Sequence, residues 1–332
     1  MRSLRFFALS CLLLMSAAPR LYAGSFTGIV AFGDSLTDTG NAYNASRDTF
    51  PASPPYDNGR FSNGPIWVER LAAGLGLPDP TPSRLGGTNY AYGDAETALS
   101  GLSIRGTPNI GTQVTAYLNT HPTIGSGQLL VIWGGANDFL HFPQLSLPDP
   151  SVPVSNLTAE ITELAKAGAK NFLVPNLPAL GETPYVKQQL APHYPGIEAT
   201  MNDLSSRFNA RLATAESSLV ASLGINIYRL DVSTSFQQVL ANPGRSGFTN
   251  VTDQAKSGAY GAPGAVVPNP DQYLFWDPVH PTETAHQLLG EQAIAVTSVP
   301  EPPTLVLLGT GLLGSLGAWW LRRGQLQAAG GC

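Results

Sequence analysis

Residues 28–36 read Gly-Ile-Val-Ala-Phe-Gly-Asp-Ser-Leu, an apolar run that passes directly into a Gly-Asp-Ser-Leu sequence. The run Gly28–Phe32 is nearly continuous in apolar residues, as is typical of a strand buried on both faces. Comparable runs follow at Leu129–Trp133, Asn171–Pro175 and Ile225–Leu230. Strands of this kind favour a parallel sheet that is covered by helices on both sides.

Helical patterns separate these strand-like runs. We predict helices at Ile66–Leu75, Leu157–Ala167, Met201–Leu223 and Thr282–Ala295. The alternation of strand and helix predicts one α/β domain with a central parallel sheet. Three loop-rich stretches interrupt the pattern, and we expect them to shape a substrate cleft at the carboxyl ends of the strands. They are Asp48–Asn63, Pro143–Pro153 and Gly244–Pro268.

The composition excludes several classes of protein. Of the 332 residues, 43% are hydrophobic and 12% are charged, so the chain is too apolar for a disordered protein. The formal net charge is −5. Five arginines lie in the two ends, so the body of the chain is more acidic still, and we expect it to repel nucleic acid. The cysteines Cys11 and Cys332 also lie at the ends, and no motif predicts a metal or an organic cofactor.

The two ends have the patterns of targeting segments. Residues 1–23 combine early arginines, an apolar run and a terminal small residue, which predicts a signal peptide cleaved by signal peptidase. Residues 304–321 carry no charge and are followed by two arginines, which predicts a transmembrane helix and a short cytoplasmic tail at 324–332. A buried core helix is the alternative reading of 304–321. The predicted folded domain is therefore 24–298.

Ser35 is the candidate nucleophile. It follows the first predicted strand directly and has glycine two residues before it, so its hydroxyl is well placed for exposure. No serine in the chain fits the Gly-x-Ser-x-Gly pattern of the usual α/β-hydrolase elbow. On its own, Ser35 is equally explained as a turn or helix-capping serine.

Three histidines have a carboxylate three residues before them. Glu283 and His286 fall inside the last predicted helix, where this spacing is ordinary pairing on one face. Asp277 and His280 belong to the sequence Asp277-Pro278-Val279-His280-Pro281, whose two prolines hold the turn rigid. The carboxylate can therefore accept a hydrogen bond from the imidazole and leave the other nitrogen free as a base. Asp138 and His141 follow the second strand and are a rival pair.

Asn137 is a candidate oxyanion donor. It lies in Gly134-Gly135-Ala136-Asn137-Asp138, directly after the second strand, where a side-chain amide can donate to a developing alkoxide. Taken alone, this sequence is equally explained as a turn.

Taken together, these blocks resemble the GDSL family of SGNH hydrolases. The resemblance covers residues 26–297 and is closest to the esterase and lipase branch that includes lecithinase/haemolysin-type enzymes. The matching segments are FGDSLTDTGN at 32–41, NGRFSNGPIWVE at 58–69, GAND at 135–138, LPALGETP at 177–184 and LFWDPVHPT at 274–282. The resemblance implies a three-layer α/β/α sandwich of the SGNH/flavodoxin-like type, and it favours His280 over His141.

The resemblance also implies the roles of the site residues. Ser35 would be the nucleophile, His280 the base and Asp277 the residue that orients it, with Asn137 and the Ser35 N–H as oxyanion donors. The family's third donor is a glycine N–H, and the residue that aligns with it here is Asp94, next to Gly93. A residue other than glycine strains this backbone conformation, and a carboxylate near a developing oxyanion repels it. We therefore expect Asp94 to point to solvent at little cost, or else to point inward and either be protonated or lower the rate.

Residues 299–323 resemble a PEP-CTERM sorting signal, with Val-Pro-Glu-Pro before the apolar segment and Arg-Arg after it. This resemblance implies a Gram-negative source and processing by an exosortase. The protein would be anchored in the inner membrane by its C-terminal helix alone and then delivered to the cell surface or extracellular matrix.

The combined prediction is an exported serine ester hydrolase of the carboxylesterase or lipase type, acting on an acyl ester, a lipid or an acylated glycan. One alternative is a non-catalytic surface or exopolysaccharide-binding protein on the same scaffold. Another is an acyltransferase or carbohydrate esterase that acts on surface glycans.

Overall fold

Four parallel strands form the central sheet, in the order β1-β2-β3-β4. They are β1 (Gly28–Gly33), β2 (Gln128–Trp133), β3 (Asn171–Pro175) and β4 (Asn226–Leu230). The computed structural model describes residues 26–141 and 149–298. The predicted signal peptide 1–23, sorting segment 299–323 with its helix 304–321, and tail 324–332 lie outside these residues.

Helices cover both faces of this sheet, which confirms the predicted three-layer α/β/α architecture. Val30 and Phe32 of β1 pack on one face and Ile29 and Ala31 on the other, so the strand is buried on both sides. The helices are α1 (Asn41–Ala45), α2 (Trp67–Leu75), α3 (Ile110–Thr120), α4 (Ala136–Leu140), α5 (Ser151–Lys166), α6 (Ile197–Leu223), α7 (Val232–Ala241) and α8 (Glu283–Thr297). Helices α3, α5 and α6 share a core with one face, and α2 and α8 share a core with the other.

An extended segment, residues 88–92, covers the edge of β1 that faces away from β2. The N–H of Ala31 donates to the carbonyl of Thr88 at 3.0 Å, and the N–H of Tyr90 donates to the carbonyl of Ala31 at 2.7 Å. Since this segment runs parallel to β1, the residues that follow it and the residues that follow β1 emerge at the same edge of the sheet. Ser35 and Asp94 are such residues.

A second, two-stranded sheet lies outside the main one, with β5 (Asn250–Gln254) beside β6 (Tyr273–Phe275). The stretch Gly244–Pro268, predicted to be rich in loop, thus contains one short strand. The turn between Trp276 and Pro281 follows β6, and α8 begins two residues after it. Asp277 and His280 therefore lie on a turn between β6 and α8 rather than on a helix.

The start of α5 also differs from the prediction. The helix begins at Ser151 rather than near Leu157, so the last part of the predicted loop Pro143–Pro153 is helical. Pro153 is tolerated because the first turn of a helix leaves its N–H groups without partners in any case. The carboxylate of Asp149 accepts the N–H of Ser151 at 2.9 Å and supports this early start.

Within residues 26–141 and 149–298, the structure contains no helix with the length and apolar character needed to cross a bilayer.

Candidate active site

Ser35 lies at the tip of the turn that ends β1. Gly33 has a φ of 155°, and a Cβ there would lie 2.4 Å from the carbonyl oxygen of Trp133, so only glycine lets β1 approach β2 this closely. The carboxylate of Asp34 accepts the N–H of Leu36 at 3.0 Å and closes the turn around Ser35. Burial raises the pKa of Asp34 to about 6. The Ser35 side chain is half-buried and lines a cavity.

His280 and Asp277 complete a chain of contacts that starts at Ser35. The Nε2 of His280 lies 2.7 Å from Oγ of Ser35, and its Nδ1 lies 2.8 Å from Oδ2 of Asp277. A carboxylate only accepts hydrogen bonds, so Nδ1 is the donor and Nε2 is left to accept the serine O–H. The carboxylate also accepts the N–H of Val279 at 3.0 Å and that of His280 at 2.9 Å, which shapes the turn between the two prolines.

Tyr56 is a member of this chain that the sequence did not reveal. Its hydroxyl donates to Oδ2 of Asp277 at 2.6 Å and accepts the N–H of Gly261 at 2.7 Å. Asp277 is fully buried. Although burial raises its pKa, the charge of His280 and the bonds from His280 and Tyr56 hold the pKa of Asp277 below its usual range. The carboxylate beside His280 is therefore ionised.

Lys256 supports the loop that carries Gly261. Its ammonium donates to the carbonyls of Ser257, Ala259 and Ala262 at 2.8, 3.0 and 3.0 Å, so all three of its protons are used. The residue is fully buried, and burial lowers the pKa of Lys256. This cation fixes the backbone on which Tyr260 and Gly261 reach the site.

The three predicted oxyanion donors line the cavity that holds Ser35. Among the described residues, the backbone N–H groups of Ser35 and Asp94 have no hydrogen-bond acceptor. The amide of Asn137 donates one N–H to the carbonyl of Ala95 at 2.9 Å, which fixes the side chain and leaves its second N–H. The arrangement offers three N–H groups to a negatively charged oxygen.

Asp94 has the left-handed backbone conformation expected of a glycine, with a φ of 64°. Its side chain is buried, so it does not point to solvent. Burial raises the pKa of Asp94, but bonds from His141 and Tyr260 and the charge of Arg105 outweigh it and hold the pKa below its usual range. Asp94 is therefore buried and ionised, which leaves the expected alternative of a lowered rate.

The rival pair Asp138–His141 is not formed. Asp138 accepts the hydroxyl of Thr97 at 2.6 Å and its N–H at 3.0 Å. His141 instead lies 3.4 Å from Oδ1 of Asp94 and 3.2 Å from Oε1 of Glu96. Of the two histidines, His280 is the one whose ring nitrogen contacts Ser35 Oγ.

The remaining histidines lie away from Ser35. His286 is buried and its Nδ1 accepts the N–H of Trp67 at 3.4 Å, while Glu283 pairs with Arg70. His121 and His193 are exposed. Within the described residues, no group of three or more His, Cys, Asp or Glu side chains is arranged to hold a metal ion.

The cavity beside Ser35 has a volume of about 340 Å³ and extends between α7, β6 and α8. Leu140 and Phe275, two of the apolar residues near the motifs, line it, whereas Phe139 and Trp276 are buried away from it and Phe142 lies outside the described residues. The lining that α7, β6 and α8 contribute is mostly apolar, with Ser235 and Gln292 as its polar residues. Its apolar residues include Val232, Phe236, Val239, Leu274, Leu288 and Leu289.

The chain is similar to known families and proteins over most of its length. The sequence model of the family described as GDSL-like Lipase/Acylhydrolase matches residues 29–293, and that of the PEP-CTERM protein-sorting motif matches residues 298–323. The chain is 28% identical to a phosphatidylcholine-sterol acyltransferase of Aeromonas hydrophila, over 81% of this chain and 89% of that protein. It is 27% identical to the thermolabile hemolysin of Vibrio parahaemolyticus, over 80% of this chain and 62% of that protein. A crystal structure of a lipolytic G-D-S-L family member from Veillonella parvula matches 82% of this chain and 100% of its own, with 16% identity and a TM-score of 0.44.

Proposed function

The chain belongs to the GDSL-like lipase/acylhydrolase family, and we propose that it hydrolyses ester bonds. In this proposal Ser35 is the nucleophile, His280 is the base and Asp277 orients the base. The observation that carries this proposal is the continuous contact from Ser35 Oγ to His280 at 2.7 Å and from His280 to Asp277 at 2.8 Å. The contact with Asp277 requires the proton of the neutral imidazole to be on Nδ1, which leaves Nε2 to accept the serine proton.

The first half of the reaction is acylation of Ser35. His280 Nε2 takes the hydroxyl proton while Oγ attacks the ester carbonyl carbon, and the carbonyl oxygen becomes an anion. The N–H groups of Ser35, Asp94 and Asn137 donate to this anion. His280 then gives the proton to the departing alcohol oxygen, which leaves an acyl-serine.

The second half is release of the acid. His280 takes a proton from water, the resulting oxygen attacks the acyl carbon, and the proton returns to Ser35 as the ester bond breaks. The buried carboxylate of Asp277 stabilises the positive charge that His280 carries at each stage, and Tyr56 holds that carboxylate at 2.6 Å.

The cavity supports an apolar acyl group as the part of the substrate next to Ser35. The lining that α7, β6 and α8 contribute is mostly aliphatic and aromatic, and it has few groups that would bond to sugar hydroxyls. We therefore favour a carboxylester or lipid ester over an acetylated glycan.

The test is hydrolysis of p-nitrophenyl esters of increasing chain length by the purified protein and by Ser35→Ala. We expect the substitution to lower kcat by about 10⁴-fold or more, because it removes the nucleophile. Ser206→Ala is the matched control, since Ser206 is an exposed serine on α6. Equal turnover by wild type and Ser35→Ala would refute the proposal, and so would a folded wild type without activity on any ester.

Transfer of the acyl group to an alcohol is the second candidate, because the relative from A. hydrophila is named as an acyltransferase. It uses the same acyl-serine, with an alcohol in place of water. Product analysis with an added alcohol separates the two: an ester product that displaces the free acid indicates transfer, and free acid alone indicates hydrolysis.

We also propose that the sorting motif directs the enzyme to the cell surface. The motif match at 298–323 supports export and exosortase processing. The proposal includes three predicted segments: a signal peptide at 1–23, an anchoring helix at 304–321 and a cytoplasmic tail at 324–332.

A further inference from the structure

We propose that Arg105 and His141 are positioning residues that keep the backbone N–H of Asp94 usable as an oxyanion donor, by neutralising the Asp94 carboxylate and fixing it in place. The inference rests on the proposed ester hydrolysis and concerns a feature that the triad does not explain. The residues Asp94, Glu96, Arg105, His141 and Tyr260 are called the Asp94 cluster below.

Three side chains contact the carboxylate, two of them at Oδ1 and one at Oδ2, and Oδ2 has the ion pair but no hydrogen bond. The hydroxyl of Tyr260 donates to Oδ1 of Asp94 at 2.5 Å. The Nε of Arg105 lies 3.3 Å from Oδ2, and the Nε2 of His141 lies 3.4 Å from Oδ1. The side chain of Asp94 is only 3% exposed, so these partners take the place of water.

Arg105 is itself held in place by aromatic rings. Its guanidinium lies 4.7 Å from the centre of the Tyr260 ring and 5.8 Å from that of Phe50. A cation over a ring face is attracted by the ring's quadrupole, so these contacts favour a fixed position for a side chain that is about half exposed. Arg105 also lines the cavity beside Ser35.

The Asp94 carboxylate has to be neutralised because the backbone N–H of the same residue is a proposed oxyanion donor, so the two negative charges would lie close together. An unpaired negative charge there would oppose the charge that forms on the carbonyl oxygen, and in a poorly solvated site that opposition is strong. The cluster instead has two cations, Arg105 and His141, against the two carboxylates of Asp94 and Glu96. The pairing removes most of the repulsion while the backbone at residue 94 keeps its φ of 64°.

His141 adds a dependence on pH. Burial lowers its pKa, but bonds to Asp94 and Glu96 outweigh burial and raise the pKa of His141 to about 9. It is therefore charged at neutral pH and loses its charge as the pH rises through about 9. The titratable groups near it among the described residues are Asp94, Glu96, Arg105, Asp138, Tyr185 and Tyr260.

A double-mutant cycle between residues 105 and 94 tests the inference on the full-length protein. We expect Arg105→Met to lower kcat by about 10- to 100-fold, less than the 10²–10³-fold loss of a whole oxyanion donor, with KM for a short ester little changed. In the Asp94→Gly background no carboxylate is left to neutralise, so the same substitution should lower kcat by less than about twofold.

Arg229→Met is the matched control. Arg229 is 48% exposed and pairs at 2.7 Å with the buried carboxylate of Glu216, as Arg105 does with Asp94, but it lies on β4 and does not line the cavity. We expect this variant to lose thermal stability and to keep its kcat. If Arg105→Met does not fold, the same double-mutant cycle is measured with Tyr260→Phe, which removes only the hydroxyl that donates to Asp94.

The pH profile of kcat gives a second readout that a purely structural role would not move. We expect kcat of the wild type to fall above about pH 9, where His141 becomes neutral. His141→Gln should lower kcat at pH 7 and lose this alkaline fall, and Asp94→Gly should also lose it.

The outcomes separate this inference from the proposed function. An equal loss on Arg105→Met in both backgrounds, or no loss in either, overturns the inference while Ser35-dependent hydrolysis stands. Turnover that does not depend on Ser35 overturns the proposed function instead. A fall of kcat above pH 9 that persists in Asp94→Gly also counts against the inference.

Discussion

The two N–H groups of the Asn137 side chain have different surroundings. One N–H is held by the carbonyl of Ala95 at 2.9 Å, and this bond fixes the plane of the amide. The other N–H is left for the anionic oxygen of the proposed intermediate. Fixing one half of the group means that the other half needs no reorganisation when charge develops.

We expect Asn137→Ala to lower kcat by about 10²–10³-fold and to leave KM nearly unchanged, because the lost bond forms in the transition state. Steady-state kinetics with a p-nitrophenyl ester measure this. Asn171→Ala is the control, since the amide of Asn171 also donates to a backbone carbonyl, that of Ser126 at 2.8 Å, but at the start of β3. A kcat for Asn137→Ala within twofold of wild type would exclude the donor role.

The sequence revealed those site residues that lie in local motifs next to strands. Ser35 and Asn137 follow β1 and β2 directly, and the two prolines around His280 mark a rigid turn. Tyr56 and Arg105 were missed because they come from irregular loops, and only tertiary contacts decide where such side chains point. The sequence left the state of Asp94 open for the same reason, since its partners Tyr260, Arg105 and His141 are brought to it only by the fold.

At the scale of elements, the contact between α2 and α8 contains a buried histidine. His286 on α8 is 1% exposed, and its Nδ1 accepts the N–H of Trp67 at the start of α2. Burial and the charges of His280 and Arg70 lower the pKa of His286 to about 3. The native state therefore holds this imidazole neutral.

This histidine predicts a loss of stability in acid. The unfolded state takes up a proton at His286 below about pH 6.5 and the native state only below about 3, so the free energy of unfolding falls as the pH drops through this window. The contribution is about 3–5 kcal/mol. Denaturant melts of wild type and His286→Gln at pH 7 and pH 4 measure it, with the exposed His121→Gln as control. An equal acid loss in all three proteins would contradict the prediction.

The elements with continuous apolar character were predicted well, and the amphipathic ones less so. All four strands of the main sheet agree with the expected runs to within one residue at either end. Helix α3 was missed although Ile110, Val114 and Tyr117 form an apolar face, and α7 was missed because only Val232 is buried in it. A strand that is buried on both faces is apolar at nearly every position, whereas a helix that is buried on one face is apolar only at spaced positions. The continuous run is easier to recognise in the sequence.

At the scale of the whole molecule, the lipase/acylhydrolase domain and the sorting motif occupy separate parts of the chain. The family match covers residues 29–293 and the motif match covers 298–323. We expect replacement of Pro300-Glu301-Pro302 by alanines to leave ester hydrolysis intact and to keep the enzyme in the membrane fraction, because exosortase recognition is lost.

Cell fractionation with an activity assay on each fraction measures this. Ser35→Ala, detected by antibody, should be distributed as the wild type is, which separates sorting from catalysis. An alanine variant that reaches the cell surface as efficiently as wild type would contradict the role of the motif.

The atoms of Ser35 and His280 that meet at 2.7 Å are 245 residues apart in the chain. Closing so long a loop is entropically unfavourable until the sheet between the two ends has formed, so this contact belongs to the last stages of folding. A nascent chain that has passed through the ribosome only as far as β5 carries the serine without its base. On the proposed mechanism, such a chain cannot yet hydrolyse esters, and its activity is withheld until synthesis has passed His280.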